Sequence, residues 1–465
     1  MAREKIPTSR VRRSATVGRL AASEAVKQFG TRAANVTRSE EEAQEALGRR
    51  QLETAKQIVA VLGTMKGAAM KLGQVLSFLD VGLVPEEHRE EFQRELAKLR
   101  DAAPTVSFKQ MRRVIEDDLE GRLPGIFEEL DEEPVAAASI GQVYRARLRE
   151  DSREVAVKVQ YPGVAAAVRA DMQNLDIILR LLKRMTPQLD VRAVAAEIRG
   201  RIAEELDYEL EAQNQRSLAR IYRGHPFIHV PDVLTELSRE HVLVTDFVRG
   251  AGFEELKGRP REQRDRLGEI LFRFFLGSLY RHRQFSGDPH PGNFLLEPDG
   301  RVAFLDFGLF KRLDPAPVEL ELACQRAVCE GDAPELHRLL AESGFLPEPA
   351  RVDPDELLAF LEDGIGWYAT VDEVLELTPE MATQVMIDSS DPRSRHFRTM
   401  RHQHIRPEHL MGRRMEMLTL AVLSQLRARA NWHRIAREWM YGEEPVTELG
   451  RQEAEFYAGG PLVAG

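Results

Sequence analysis

At 465 residues, with 43% hydrophobic and 30% charged side chains, the chain has an ordinary globular composition and room for a two-lobed domain with an extension. Its 75 acidic against 65 basic residues give a formal charge of −10, which excludes a chain built throughout to bind polyanions. No apolar run approaches the ~20 residues that cross a bilayer, and the two cysteines, Cys324 and Cys329, have neither zinc-knuckle nor redox-pair spacing, which predicts a reducing compartment.

Residues 1–35 form a basic leader: Arg3, Lys5, Arg10, Arg12, Arg13, Arg19, Lys27 and Arg32 stand against only Glu4 and Glu24. Such a start suits an anionic surface or simply a solvated end. It also imitates a transit peptide, a reading ranked below a cytoplasmic chain that is at most peripheral on a membrane. Residues 36–133 read as a helical extension, with helices predicted over Glu40–Leu79, Pro85–Leu99 and Val106–Leu119. The pattern changes at residue 134. Val143–Leu148 and Val155–Val159 alternate as strands do, helical periodicity returns over Val164–Met185 and Val191–Ala219, and His241–Thr245 is a further strand before Asp246-Phe247-Val248. This β-rich segment with its helical insert spans 134–248. Long amphipathic helices dominate 249–442, and 443–465 reads as a tail. Phe294-Leu295-Leu296 and Val302–Leu305 flank Pro298-Asp299-Gly300, a hairpin signal.

The chemistry is concentrated around that hairpin. Before it stands Gly287-Asp288-Pro289-His290-Pro291-Gly292-Asn293, and after it Asp306-Phe307-Gly308. Phosphoryl transfer needs a carboxylate near the acceptor oxygen and oxygen ligands that hold Mg²⁺ across the nucleotide phosphates. Asp288 and Asn293 have the D-x-x-x-x-N spacing of a kinase catalytic loop, and Asp306 opens the D-F-G whose aspartate chelates metal. Asp288 and Lys158 are therefore the catalytic candidates, and Asn293 and Asp306 the metal ligands. Lys158 lies in Val155-Ala156-Val157-Lys158, which matches the strand whose lysine grips the α/β-phosphates. Its expected helical partner is Glu211, with Glu205 as runner-up. Ala136-Ala137-Ala138-Ser139-Ile140-Gly141-Gln142 stands where kinases place a glycine loop, so Ala136, Ala137, Ala138, Ser139 and Gln142 are phosphate-side candidates, with Asp246 and Val248 as further nucleotide contacts. Alanine's Cβ restricts both positive φ and close backbone approach, so the phosphate contact differs from that of a glycine loop.

Two elements of an ordinary protein kinase are missing. Ser286-Gly287 replace the His-Arg before the catalytic aspartate, and Leu313-Asp314-Pro315 lead straight into a helix with no A-P-E. A small or lipid-like acceptor, or ATP hydrolysis alone, is expected over polypeptide phosphorylation. The expected fold is α+β: a bilobal protein-kinase-like fold with a small β-rich N-lobe, a helical C-lobe and an all-α N-terminal extension.

The whole pattern resembles the ABC1/UbiB (AarF) atypical kinase family, in its Coq8-like branch. Three elements carry the resemblance: Lys71-Leu72-Gly73-Gln74, similar to the family's K-x-G-Q helix; the alanine loop; and Glu205-Leu206-Asp207-Tyr208, similar to its E-x-D motif. The resemblance implies that the N-terminal extension packs over the cleft, that Lys71 acts with Glu205 and Asp207 near the metal, and that Gln74 belongs to the same apparatus. It implies ATP/ADP and Mg²⁺ as cofactors, ATPase activity, and a link to isoprenoid quinone biosynthesis. Implied partners are a nucleotide, an anionic membrane lipid, a quinone precursor and a second copy of the chain; nucleic acid is not expected. Unlike relatives with spanning C-terminal helices, Met415–Met440 carries Arg427, Arg429, Arg434 and Arg437. A non-catalytic nucleotide-binding scaffold and an aminoglycoside-type phosphotransferase are the alternative readings.

Overall fold

The structure is a computed structural model that describes residues 106–121, 123–138, 140–172, 199–200, 204, 206–390, 394–400, 402–404 and 407–459. Lys71, Gln74, Ser139 and Glu205 lie outside the described residues, as do the leader and the extension up to residue 105. The chain divides into two compact units, Met1–Asp207 with Arg239–Leu243, and Tyr208–Ser238 with Val244–Gly465.

The first unit is built on a sheet. Helix α1 (Phe108–Asp118) opens it, with Gln110 Oε1 accepting from Ser107 Oγ at 2.9 Å at its start. Its Met111 and Ile115, one turn apart, are fully buried. Strands β1 (Phe127–Leu130) and β2 (Ala136–Ala138) share one edge of β3 (Gly141–Leu148), whose other edge pairs with β4 (Glu154–Gln160); β6 (Val242–Asp246) closes the order β1-β3-β4-β6. The period-2 pattern is kept. Tyr144, Ala146, Val155, Val157 and Val159 are buried, and Val143, Arg145, Ala156 and Lys158 are half-buried. Phe108 of α1 stands edge-on to Tyr144, with ring centroids 5.4 Å apart. Helix α2 (Val164–Met172) follows the sheet.

Gln160, at the end of β4, is 1% exposed and ties two distant segments to the sheet. Its Nε2 donates to Leu206 O at 2.9 Å and Glu240 O at 3.2 Å. The first of these bonds holds the backbone beside Asp207 against the end of β4.

The second unit begins with helix α3 (Tyr208–Ile221) and is mostly helical. Strand β5 (Ile228–His229) runs parallel to β9 (Val302–Phe304), which pairs with β8 (Phe294–Leu296). The predicted hairpin is present, with Leu296 opposite Val302. Its turn follows from local chemistry: Gly300 adopts φ +87°, and Asp299 Oδ1 accepts from Arg301 N at 3.0 Å. Strands β7 (Gln284–Ser286) and β10 (Phe310–Arg312) pair antiparallel.

Helices α4 (Arg261–Phe272), α5 (Pro315–Glu330), α6 (Ala333–Glu342), α7 (Pro354–Ala369), α8 (Pro379–Ser390), α9 (Pro407–Leu426) and α10 (Trp432–Met440) enclose an aromatic-rich core. In it Phe272 meets Trp367, Tyr368 and Trp432 within 6.0 Å. Cys324 and Cys329 both fall on α5, and neither is in a disulfide. Among the described residues no helix is long and apolar enough to cross a membrane.

The apolar run Ile270–Tyr280, which Arg273 interrupts in the sequence, contains a π-helical turn at Arg273–Gly277. The arginine is fully buried in an ionic cluster. Residues 443–465, read as a tail, include helix α11 (Glu448–Ala458), which buries Leu449 and Glu453.

Candidate active site

In the second unit, the β7–β10 pairing brings the loop at 287–293 beside Asp306-Phe307-Gly308. Gly287 N donates to Leu309 O at 2.7 Å, and Ser286 Oγ donates to Asp306 O at 3.2 Å. Proline spacing then curls the loop. His290 N donates to Asp288 O at 2.7 Å, and Pro291–Asn293 forms one 3₁₀ turn whose Gly292 N donates to His290 Nδ1 at 3.0 Å. The turn swings Asn293 back onto Asp288. Asn293 Nδ2 donates to both Asp288 O (3.1 Å) and Asp288 Oδ2 (3.2 Å). With its amide hydrogens committed, the side chain presents Oδ1, a hard oxygen donor of the kind Mg²⁺ takes.

Asp306 is set by its own tripeptide, since Oδ1 accepts from Gly308 N at 3.1 Å. Helix α3 supports it from behind: Asn214, buried, donates from Nδ2 to Phe307 O at 3.4 Å. A Cβ at Gly308 would lie 3.5 Å from Asp306 Oδ1 and 3.6 Å from Glu211 Oε2. Two carboxylates, one of them (Glu211) only 2% exposed, therefore flank this glycine. Such an arrangement is favourable only with cations nearby.

Among the described residues no group of three or more His, Cys, Asp or Glu forms a metal cage. Mg²⁺ keeps waters and binds through one or two protein oxygens plus substrate phosphates. The donors here, an amide oxygen and a carboxylate in loops joined through β7 and β10, fit it.

Arg414, on α9, contributes what the sequence did not reveal. Its Nη1 donates to Gly287 O at 3.0 Å, and its Nη2 lies 3.5 Å from Asp288 Oδ1. Both partners of this ion pair are largely shielded. A guanidinium thus reaches Asp288 although the Arg that precedes the corresponding aspartate in ordinary kinases is missing. Gly287 makes the approach feasible, because a Cβ there would sit 2.8 Å from Met411 Cε on the same helix. No sequence signal marked Arg414, which lies 126 residues beyond its partner.

In the first unit, cross-strand register places Ala136, Val143 and Lys158 in one row on the half-buried face, with Ala138 beside them. Gln142 and Ala137 fall on the other face, where Gln142 Oε1 accepts from Tyr144 OH at 2.6 Å. The sheet therefore joins Lys158 to the first and third alanines and not to the Gln142 side chain. Asp207 is half-buried next to the Gln160-anchored backbone. In the second unit, Asp246 ends β6 and donates from N to Asp232 O at 3.0 Å, and Val248 follows in the link.

Residues 98–340, just over half of the chain, match the family model described as the ABC1 atypical kinase-like domain. The chain belongs to the ABC1 atypical kinase family. It is 32% identical over 360 residues to the atypical kinase coq-8, mitochondrial, of Caenorhabditis elegans, which covers 73% of this chain and 46% of that one. It is 32% identical over 279 residues to the rat atypical kinase COQ8B, mitochondrial, covering 60% and 52%. The chain thus spans about half the length of the curated relatives it matches. A solved structure of Rv3197 from Mycobacterium tuberculosis, in complex with erythromycin, is similar at 31% identity and a TM-score of 0.60, over 86% of this chain and 98% of that one. The ABC1 kinase fold accounts for the mixed architecture, with a small sheet region and a helical part.

Proposed function

We propose that this ABC1-family chain is a Mg-dependent ATPase or small-molecule kinase of the Coq8-like kind that supports isoprenoid quinone biosynthesis. The observation that carries the reading is the convergence of Asp288, Asn293 and Asp306 through the β7–β10 pairing, with Asn293 turned so that an oxygen is presented. Bound Mg²⁺ would supply charge neutralisation across the nucleotide phosphates. Asp306 and Asn293 would hold it, Lys158 would hold the α/β-phosphates, and Asp288 would accept the proton of the attacking hydroxyl or water. The Ala136–Ala138 strand and the Gln142 backbone would face the phosphates, Asp246 and Val248 the base, and Glu211 the cationic side of the site. Lys71, Gln74, Glu205 and Asp207 would form the family-specific apparatus beside it.

The test is ATP hydrolysis by the full chain with Mg²⁺ and with chelator, in the presence and absence of anionic vesicles. Metal-dependent turnover, raised by vesicles, is expected. Nucleotide binding without turnover in every condition would favour a scaffold. A second reading rests on the Rv3197 neighbour, whose complex with erythromycin makes macrolides worth one arm of the same assay: erythromycin-dependent ATP consumption would favour it.

Arg414→Gln is expected to lower kcat about tenfold while the KM for ATP changes less than about twofold, because it removes a charge-assisted contact to Asp288. Equal changes in kcat and KM, or none, would contradict a positioning role. Gly287→Ala drives a Cβ against Met411, and a similar kcat loss is expected as α9 shifts from the loop.

A further inference from the structure

The second unit carries an open groove of about 850 Å³ between the link that follows β6, the short helix Phe253–Lys257, α4 and the β8–β9 turn. Small-molecule sites span roughly 300–1,000 Å³, so the groove has room for more than a single ion. Asp246, Val248, Asp288, Asn293 and Asp306 are not among its walls. The groove is fixed by backbone. Ala251 N donates to Leu296 O at 2.8 Å, and a Cβ at Gly250 would lie 2.7 Å from the same oxygen. Ala251, Leu296 and Pro298 give it an apolar side.

The acidic side chains at the groove are already matched. Glu297 pairs with His229 Nδ1 at 2.8 Å, Asp299 with Arg301 at 2.7 Å, and Glu255 with Arg259. Arg249 stacks on the Phe247 ring, 5.6 Å from its centroid. Arg266 differs. Half-buried on α4, it donates from Nη1 to Gly300 O at 2.6 Å, and among the described residues it makes no ion pair. Burial lowers the pKa of its guanidinium from the ordinary value. Glu269, which opposes that shift, is committed to Arg273 at 2.8 Å. A guanidinium that has lost water without gaining a carboxylate is only partly compensated, and its planar fork matches an incoming carboxylate.

We propose that this groove binds an amphiphilic carboxylate, with the anion on Arg266 and a short apolar chain along Ala251, Leu296 and Pro298. One uncompensated guanidinium matches one negative charge. The site does not depend on the function proposed above. Octanoate and its uncharged amide, octanamide, are the probes, with ligand-observed NMR on the full chain as the readout. Octanoate should bind at least about tenfold more tightly, the value of a hydrogen bond to a charged group. Arg266→Gln should bring the two probes within about twofold.

Gln263→Glu tests the same point without removing Arg266. Gln263 is exposed, lines the groove and stands three residues before Arg266 in the first turn of α4. A carboxylate there reaches Arg266 at i,i+3 spacing and sits at the positive end of the helix. The variant should therefore melt at or above the wild-type temperature and lose octanoate binding. If Arg266→Gln does not fold, this comparison decides. No binding at millimolar octanoate, equal binding of octanamide, tighter binding of inorganic phosphate, or unchanged affinity in Gln263→Glu overturns the proposal. Saturating Mg-ATP should leave octanoate affinity within about twofold. Displacement by nucleotide would make the groove an edge of the nucleotide site, and would equally overturn it.

Discussion

Asp306→Asn should reduce Mg-dependent ATP turnover by about 10²–10³-fold with the fold intact. The substitution keeps an oxygen that can accept from Gly308 N, now at 3.1 Å, so the turn at 306–308 has no reason to open. What it removes is the negative charge that Asp306 would offer to Mg²⁺ in the proposed function. Loss of metal-centred stabilisation amounts to several kcal/mol, and each 1.36 kcal/mol is tenfold in rate. Turnover measured against Mg²⁺ concentration checks it, beside a melting curve. Wild-type turnover in the variant would remove Asp306 from the metal site and with it the reading of the whole loop. A collapsed Tm would show that the charge serves the fold instead.

Arg273→Leu should be the most destabilising of the substitutions considered, by roughly 3–5 kcal/mol, because it strands buried carboxylates. Arg273 is 0% exposed and donates to Glu269 at 2.8 Å, to both oxygens of Glu438 at 2.7 and 2.8 Å, and to Glu453 at 2.9 Å. Burial works against its charge, yet the three carboxylates overcome it and hold the guanidinium protonated, above its ordinary range. Thr447 Oγ1 and the start of α11 close the cluster, and a Cβ at Gly450 would lie 2.5 Å from Nη2. For a domain of this size, 1 kcal/mol moves Tm by about 2–4 °C, so a drop of about 10 °C is expected by calorimetry. Arg451→Ala, which breaks an exposed pair with Glu448 and an exposed hydrogen bond to Val446 O, should change Tm by less than about 2 °C. Equal effects of the two would mean that the buried cluster contributes nothing beyond a surface pair.

The sequence by itself determined the elements whose cause is local. Strands β3 and β4 were legible because a period of two is imposed by the pleat, and burial alternates along them as the residues do. The loop, hairpin and D-F-G were legible because Asp288, Asn293 and Asp306 lie within twenty residues, joined by a turn that Asp299 and Gly300 specify alone. The family was legible for the same reason, since its motifs are short and contiguous.

Only the tertiary structure decided what depends on distant partners. No sequence motif marked Arg414, whose helix approaches the loop beside Gly287. Arg273 read as an interruption of an apolar run, and residues 443–465 as a tail. Together they form a buried cluster, because carboxylates 165 and 180 residues away return to the same place. Gln142 stood beside the alanines in sequence, but register sends its side chain to the face opposite Lys158. Local rules fix φ, ψ and alternation; which charges meet in the interior is fixed by packing, whose partners no window of adjacent residues contains.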